Sequence, residues 1–249
     1  MKVRFRFTKT GSMKFIGHLD CMRFFQKAIR RAGLDVAYSQ GYSPHQLMSF
    51  ASPLGLGLTS DGEYLDIEFV SLPDMDQEAL VEYMNRFMTD EIFVKEMQVM
   101  PDTFKNSMSL LCVADYMIAE KEPGVLPSEL EKKWDAFLEQ EKIMVTKKTK
   151  KSEKIIDIRP FILQEACSLS DFVKKTGEEY GEIHSPYHHK ALFLQLTSGS
   201  EINIKPELVM EAFFSFSGQE YDIYALQVHR LQMYFKDITS KPGMEKSLV

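Results

Sequence analysis

Three side chains near the start of the chain carry the functional groups of an acid–base site. His18 and Asp20 lie two residues apart, and His45 follows in a loop-like stretch. An imidazole changes charge near neutral pH, so the three would form an acid–base pair or part of a metal site if the loop folded over the start of a helix. Spacing alone does not bring them together, and a histidine near a helix start also serves for capping or packing. They are the catalytic candidates.

A larger group in the same region has the properties of a nucleic-acid contact surface. A helical pattern places Arg23, Lys27 and Arg30 about one turn apart, opposite the apolar stripe, where they would follow a phosphate backbone or form an ordinary solvated surface. The loop beyond the helix contains tyrosine rings that would either stack on bases or cap the core. The substrate-binding candidates are Lys9, Arg23, Lys27, Arg30, Tyr38, Gln40, Tyr42 and His45.

Positive charge is concentrated at the amino-terminal end. Residues 1–60 contain nine Lys or Arg and two acids, Asp20 and Asp35, which gives this stretch a net charge of +7. The whole chain has a net charge of -6, so the remaining residues carry -13. This asymmetry predicts that an anionic partner docks on the N-terminal region.

The sequence offers no pattern for a bound metal or a disulfide framework. Three widely spaced cysteines match neither a zinc site nor the CxxxCxxC triad that holds a radical-SAM iron–sulfur cluster. A group of three histidines, His184, His188 and His189, has neither nearby cysteines nor an HExxH frame. We therefore expect this chain to bind no metal and no cofactor of its own.

The first half of the chain has a regular alternation of predicted strands and helices. Apolar residues alternate with charged ones at 2–8, as in a half-buried strand, and repeat every three or four residues at 18–32, as in an amphipathic helix. The predicted order is a strand at 2–8, a helix at 18–32, strands at 47–51 and 63–70, a helix at 74–88 and a strand at 92–100. This β-α-β-β-α-β order predicts a ferredoxin-like sheet with two helices on one face.

The second half follows a similar scheme with more distortion. Its predicted elements are a strand at 109–119, a helix at 128–139, a hairpin of 143–146 and 155–158 with a basic tip, a strand at 192–197, a helix at 206–214 and a strand at 225–234. Residues 168–189 show no clear period. The fold class predicted is α+β, with two ferredoxin-like halves of which the second is distorted. The predicted domains are 1–103 and 104–235, followed by a flexible tail at 236–249.

The chain lacks a sequence signal for a membrane or for export. It contains no stretch of about 20 uninterrupted apolar residues, and its charged start does not resemble a signal peptide. We expect a cytoplasmic protein without a membrane partner.

The block from 7 to 69 resembles a known family. It contains K-x-G, H-L-D-x-x-R, A-Y-S-Q-G-(aromatic), P-H, S-F and G-E-Y-L-D in this order, and D-I-R-P at 157–160 resembles a further signature. The motifs are similar to those of the radical-SAM-linked proteins, formerly a domain-of-unknown-function family, adjacent or fused to cobalamin-type radical-SAM proteins. Ser43 and Leu47 depart from the family pattern, which has a His after the loop aromatic and a Lys shortly after P-H.

The resemblance implies an accessory or substrate-binding partner of a separately encoded radical-SAM enzyme. That enzyme would carry the iron–sulfur cluster, SAM and, in a cobalamin-type protein, the cobalamin. Family members lie near genes for an RNase of the E/G type and for ribosomal proteins, which implies RNA (tRNA or rRNA) modification. Two alternatives stay open: a stand-alone RNA-processing enzyme using His18 and His45, and a scaffold that binds only protein.

Overall fold

The chain forms two compact units, the first from Met1 to Leu111 and the second from Cys112 onward. A computed structural model describes residues 1–101, 105–148 and 153–236. The units combine helices with largely antiparallel strands, so the predicted α+β class is confirmed. The centre of the predicted basic hairpin tip, 149–152, and the predicted tail from 237 onward lie outside the described residues.

Apart from the short helix α3, which was not predicted, the first unit has the order of strands and helices expected from the sequence. Its elements are strand β1 (Lys2–Lys9), helix α1 (His18–Arg31), strands β2 (Met48–Phe50) and β3 (Thr59–Glu68), helix α2 (Gln77–Asn85), strand β4 (Val94–Met100) and the short helix α3 (Ser107–Leu110). The strands lie in the order β4-β1-β3-β2, and each neighbouring pair is antiparallel. The more specific assignment of two ferredoxin-like halves stays a prediction.

Alternation along β1 decides which of its side chains enter the core. Val3, Phe5 and Phe7 are buried and share one apolar cluster with Phe25 and Ile29 of α1. Burying each large apolar side chain contributes roughly 1.5–3 kcal/mol, which is enough to hold the helix on this face of the sheet. The polar side of α1 is therefore left facing solvent.

The other side of β1 carries cations that are paired across strands. Arg4 makes two hydrogen bonds to Asp66 on β3, Nε to Oδ1 at 2.8 Å and Nη2 to Oδ2 at 3.2 Å. Arg6 donates from Nη1 to Oε1 of Glu96 on β4 at 2.7 Å. The register of the strands sets these opposite charges side by side. Much of the amino-terminal positive charge is thus neutralised within the first unit.

The second unit contains more elements than its sequence predicts. They are strand β5 (Leu111–Glu120), helix α4 (Leu130–Leu138), strands β6 (Met144–Lys148), β7 (Glu153–Asp157) and β8 (Ile162–Ala166), helix α5 (Leu169–Thr176), strand β9 (Ala191–Thr197), helix α6 (Pro206–Phe216) and strand β10 (Leu226–Phe235). Four strands form a sheet in the order β10-β5-β9-β8, and β6 pairs with β7 in a separate hairpin. Strand β8 and helix α5 were not predicted.

Aromatic side chains join the two longer helices of the second unit. The ring of Phe213 on α6 lies 4.9 Å from Trp134 and 5.5 Å from Phe137 of α4, measured between centroids. Edge-to-face contacts at these separations stabilise packing beyond the apolar area that they bury. Throughout the described part of the chain, every helix is too short or too polar to cross a bilayer.

Candidate functional site

Helix α1 supplies the polar surface on which the candidate site is built. It starts after Gly17, and cations occupy the side opposite its core contacts, because three- and four-residue spacings return to the same side. Arg23, Lys27 and Arg30 are exposed, as predicted from the periodicity. The buried residues of the helix are Cys21, Phe25, Ala28 and Ile29.

A basic pocket lies between the end of α1 and the segment that follows α2. Two of its cations, Lys27 and Arg31, come from α1, and the third, Arg86, is the residue that ends α2. Phe24 and Phe87 contribute aromatic side chains to its wall. Its volume is about 310 Å³. The complete lining of this basic pocket is Phe24, Lys27, Arg31, Arg86, Phe87, Met88 and Thr89.

Hydrogen bonds between the two helix ends fix the shape of the basic pocket. Tyr83 donates from its hydroxyl to the carbonyl of the residue after α1 at 2.8 Å, and Arg31 donates from Nη2 to the carbonyl of Phe87 at 2.8 Å. The Asn85 side chain binds both the N–H and the C=O of Val94, each at 2.8 Å, which holds the segment after α2 against β4. The three cations are therefore carried on a supported backbone.

The cations at the basic pocket have no carboxylate partner within the described ranges, in contrast to four other cations of the first unit. This holds for Lys27, Arg31 and Arg86, and for Arg30, which is next to Arg31 in the chain. The ion-paired cations of the first unit include Lys2 with Glu68, Arg4 with Asp66, Arg6 with Glu96 and Arg23 with Asp20.

Helix electrostatics explain part of this arrangement. Arg30 and Arg31 lie in the last turn of α1, where the helix dipole favours positive charge. The dipole does not require Lys27 and Arg86, from different helices, to meet Arg31 at one concave site beside two phenyl rings. Guanidinium and ammonium groups in such a pocket are suited to bind a phosphate or a carboxylate.

The three catalytic candidates each contact a neighbour and not one another. His18 packs edge-on against Phe50, with ring centroids 5.1 Å apart. Asp20 accepts a hydrogen bond from Arg23 Nη1 at 3.0 Å. His45 Nδ1 lies 2.8 Å from the hydroxyl oxygen of Ser39. Among the described residues, no hydrogen bond or ion pair links His18, Asp20 and His45 to each other.

The tyrosine-bearing loop points its rings outward. Tyr42 is fully exposed and Tyr38 is about half exposed, at 47%. The Ser39 hydroxyl closes the loop by accepting the backbone N–H of His45 at 3.1 Å, and the Gln46 amide donates to the Tyr38 hydroxyl at 3.4 Å. Both tyrosine rings therefore have exposed surface that is accessible for stacking. This loop does not line the basic pocket.

The K-x-G motif has a structural role in this protein. Lys9 is buried, with 3% of its surface exposed, and its Nζ donates to the carbonyl of Ile16 at 2.9 Å. Gly11 has a φ of +51°, which favours glycine, and begins a turn held by the carboxylate of Glu91. That carboxylate accepts hydrogen bonds from the Ser12 N–H and hydroxyl at 2.9 and 2.7 Å. Lys9 is consequently not included in the function proposed below.

Replacing Gly11 with Ala is expected to lower the free energy of unfolding by about 1–3 kcal/mol, the range for strained backbone positions. The new Cβ would lie 2.0 Å from Glu91 Oε1 and 2.4 Å from its Cδ, so Glu91 must leave the turn that it holds. Urea unfolding measures the loss. Gly55→Ala is the matched control, because its Cβ meets only ordinary contacts with Leu58 at 3.7 Å or more. Equal stability of the two variants would contradict this role for Gly11.

The D-I-R-P segment likewise organises the backbone. Asp157 accepts hydrogen bonds from the N–H of Ile143 at 2.9 Å and from the N–H of Arg159 at 3.0 Å. Arg159 donates from Nε to the carbonyl of Leu138 at the end of α4, at 2.9 Å. The motif thus ties the β6–β7 hairpin to α4.

The second unit contains a buried carboxyl group that was not among the predicted site residues. Asp115 on β5 is fully buried and accepts hydrogen bonds at Oδ2 from the hydroxyls of Tyr180, at 2.7 Å, and Tyr234, at 2.5 Å. Burial raises the pKa of Asp115 to about 6, although the tyrosine hydrogen bonds act in the opposite direction. Burial and the nearby Asp115 raise the pKa of both tyrosines. An acid within an apolar strand is the only sequence signal for this cluster.

The carboxyl-terminal histidines lie near a second cavity. His188 and His189 line a pocket of about 480 Å³ together with Cys167, and burial raises the pKa of the Cys167 thiol to about 11. His184 lies 4.0 Å from a carboxylate oxygen of Glu182. In the ranges that the structure describes, no set of three His, Cys, Asp or Glu side chains is placed to hold a metal ion.

Fold and site together define an α+β protein of two compact units with a cationic, aromatic-walled pocket in the first. The chain belongs to the family described as "Uncharacterized protein conserved in bacteria (DUF2344)", which matches residues 2–206. The match covers the first unit from its second residue and continues through β9 to the first residue of α6. A comparison with curated proteins found no match.

Proposed function

We propose that this protein binds RNA at the basic pocket and presents it to a separately encoded radical-SAM enzyme, as a non-catalytic partner in tRNA or rRNA modification. RNA binding is supported by one observation: Lys27, Arg31 and Arg86 converge at one pocket, and none of them has a carboxylate partner among the described residues. Contacts to phosphates supply most of the affinity in sequence-independent nucleic-acid binding. Arg30 is exposed and precedes Arg31 in the last turn of α1, and it would add a further phosphate contact.

Only some of the candidate residues take part in the proposed RNA binding. Lys27 and Arg30 keep the phosphate-binding role predicted from the helix pattern, and Arg31 and Arg86 are added to them. Arg23 contributes less, because its charge is shared with Asp20 at 3.0 Å. The exposed loop residues Tyr38, Gln40 and Tyr42 would contact bases that extend beyond the pocket.

The radical-SAM part of the proposal is supported by the motif resemblance. The three cysteines do not form a cluster-binding triad, so the iron–sulfur cluster and SAM would belong to the partner, as would cobalamin in a cobalamin-type enzyme. Both proteins would meet their RNA in the cytoplasm. In this proposal the protein would bind and orient the RNA, and the partner enzyme would catalyse its modification.

Copurification with the proposed radical-SAM partner tests this proposal. We expect RNA to accompany the pair, and we expect the Lys27→Glu/Arg86→Glu variant to keep the protein partner while losing the RNA. The control is Lys132→Glu/Lys174→Glu, which makes the same charge change at exposed, ion-paired lysines of the second unit. A pair that never carries nucleic acid would identify a protein-only scaffold instead. Failure of the two proteins to associate would refute the partnership.

A further inference from the structure

The basic pocket differs in shape from a simple phosphate-binding surface, because its cations surround a concave space. A row of cations along a helix is sufficient for a continuous backbone, because each phosphate is contacted from outside. Here the cations surround a concavity of about 310 Å³, at the lower end of the range for small-ligand pockets. A duplex does not fit into such a space, whereas one unstacked nucleotide does.

The aromatic side chains at this pocket are held from behind. Phe24 and Phe87 are half-buried and pack against the apolar core of the first unit. The Phe24 ring lies 5.8 Å from that of Phe25, and the Phe87 ring lies 5.4 Å from that of Tyr83, both edge to face. A supported ring that also lines a pocket is suited to stack on a flat ligand.

We infer that the basic pocket takes a single nucleoside phosphate, with the base against Phe24 or Phe87 and the phosphate bound by Lys27, Arg31 and Arg86. The pocket is lined by both aromatic rings and cations. A nucleotide complements both, because its base stacks on a ring and its phosphate pairs with the cations. This inference rests on the proposed function and makes it more specific. The protein would bind single-stranded RNA by one nucleotide inserted into the pocket, and a free mononucleotide would compete for the same place.

Calorimetry with AMP, adenosine and inorganic phosphate, each added to the full chain, separates the contribution of base stacking from that of phosphate binding. We expect AMP to bind more tightly than either fragment, since each lacks one complementary part. Arg86→Ala should reduce the preference for AMP over adenosine about tenfold, as expected for loss of a charged hydrogen bond. Either Phe24→Leu or Phe87→Leu should reduce the preference for AMP over phosphate about tenfold, as expected for loss of stacking, and no effect of either variant would refute stacking in the pocket. Phe15→Leu, at an exposed ring outside the pocket, is the control.

A second measurement distinguishes failure of this inference from failure of the proposed function. AMP should displace a labelled single-stranded RNA, and duplex RNA should bind more weakly than the single strand. If RNA binds but AMP does not displace it, or if phosphate competes as well as AMP, the single-nucleotide inference is overturned and RNA binding stands. If AMP binding depends on Arg86 and on one of the two phenyl rings while no RNA binds, the pocket assignment holds and the proposed function falls.

Discussion

Reversing the charge of Lys27 and Arg86 together is expected to weaken binding of a single-stranded RNA about 100-fold or more. Each replacement removes a charged hydrogen bond worth roughly 1.5–3 kcal/mol, and about 1.4 kcal/mol corresponds to a factor of ten. The variant should also respond less to salt. Loss of the one phosphate contact that these cations share lowers the slope of log affinity against log salt by about 0.7. A salt titration by fluorescence anisotropy measures both quantities.

The control for this prediction makes the same charge change in the second unit. Lys132 and Lys174 are exposed and paired with Glu129 and Asp171, so their replacement by Glu alters net charge without touching the basic pocket. We expect at most a small change in affinity. If the two double variants lose affinity equally, net charge and not the pocket governs binding, and the site assignment is wrong.

The stability of the protein should depend on pH through Asp115. Its pKa is raised from 3.8 to about 6 in the folded state because burial penalises the carboxylate. Between these two values the unfolded chain has released the proton and the folded protein retains it. Stability from this group is therefore present at low pH and is lost as the pH rises to about 6. A shift of this size corresponds to about 3 kcal/mol.

Asp115→Asn removes this dependence, because the amide stays neutral at every pH. Between about pH 4 and pH 7, the unfolding free energy of the variant relative to the wild type should rise by about 2 kcal/mol. Urea unfolding of both proteins at several pH values measures this difference in unfolding free energy. The contributions of titrating groups that both proteins share cancel in the difference. Asp171→Asn should show the opposite trend, because a hydrogen bond from Lys174 lowers the pKa of that exposed carboxyl. A flat difference for Asp115→Asn would show that the buried carboxyl is not destabilising when ionised.

The elements with strong periodicity were predictable from the sequence. Strand β1 alternates without a break, and α1 repeats its apolar residues over fourteen positions, so both were placed within about two residues of their observed ends. Helix α5 was not found, because it has only eight residues and a single fully buried side chain, Phe172. Such a helix is stabilised by tertiary packing and leaves little periodic signal.

The basic pocket depends on contacts that no local pattern contains. Arg31 and Arg86 are 55 positions apart, and they meet because the carbonyl of Phe87 accepts the Arg31 hydrogen bond. The fate of Arg4 is similar: its charge counts as positive in the sequence, but strand register sets it beside Asp66. A count of charges over the first sixty residues therefore predicted a basic region without showing which cations keep an unbalanced charge.

The cross-strand ion pairs of β1 also affect how an anion reaches the first unit. Through Leu111 the chain has twelve basic and fourteen acidic residues, so this unit is slightly negative as a whole despite its basic start. A polyanion arriving in a random orientation meets repulsion or neutrality over most of that surface. If the protein binds RNA as proposed, productive encounters would be limited to approaches toward the basic pocket at the ends of α1 and α2.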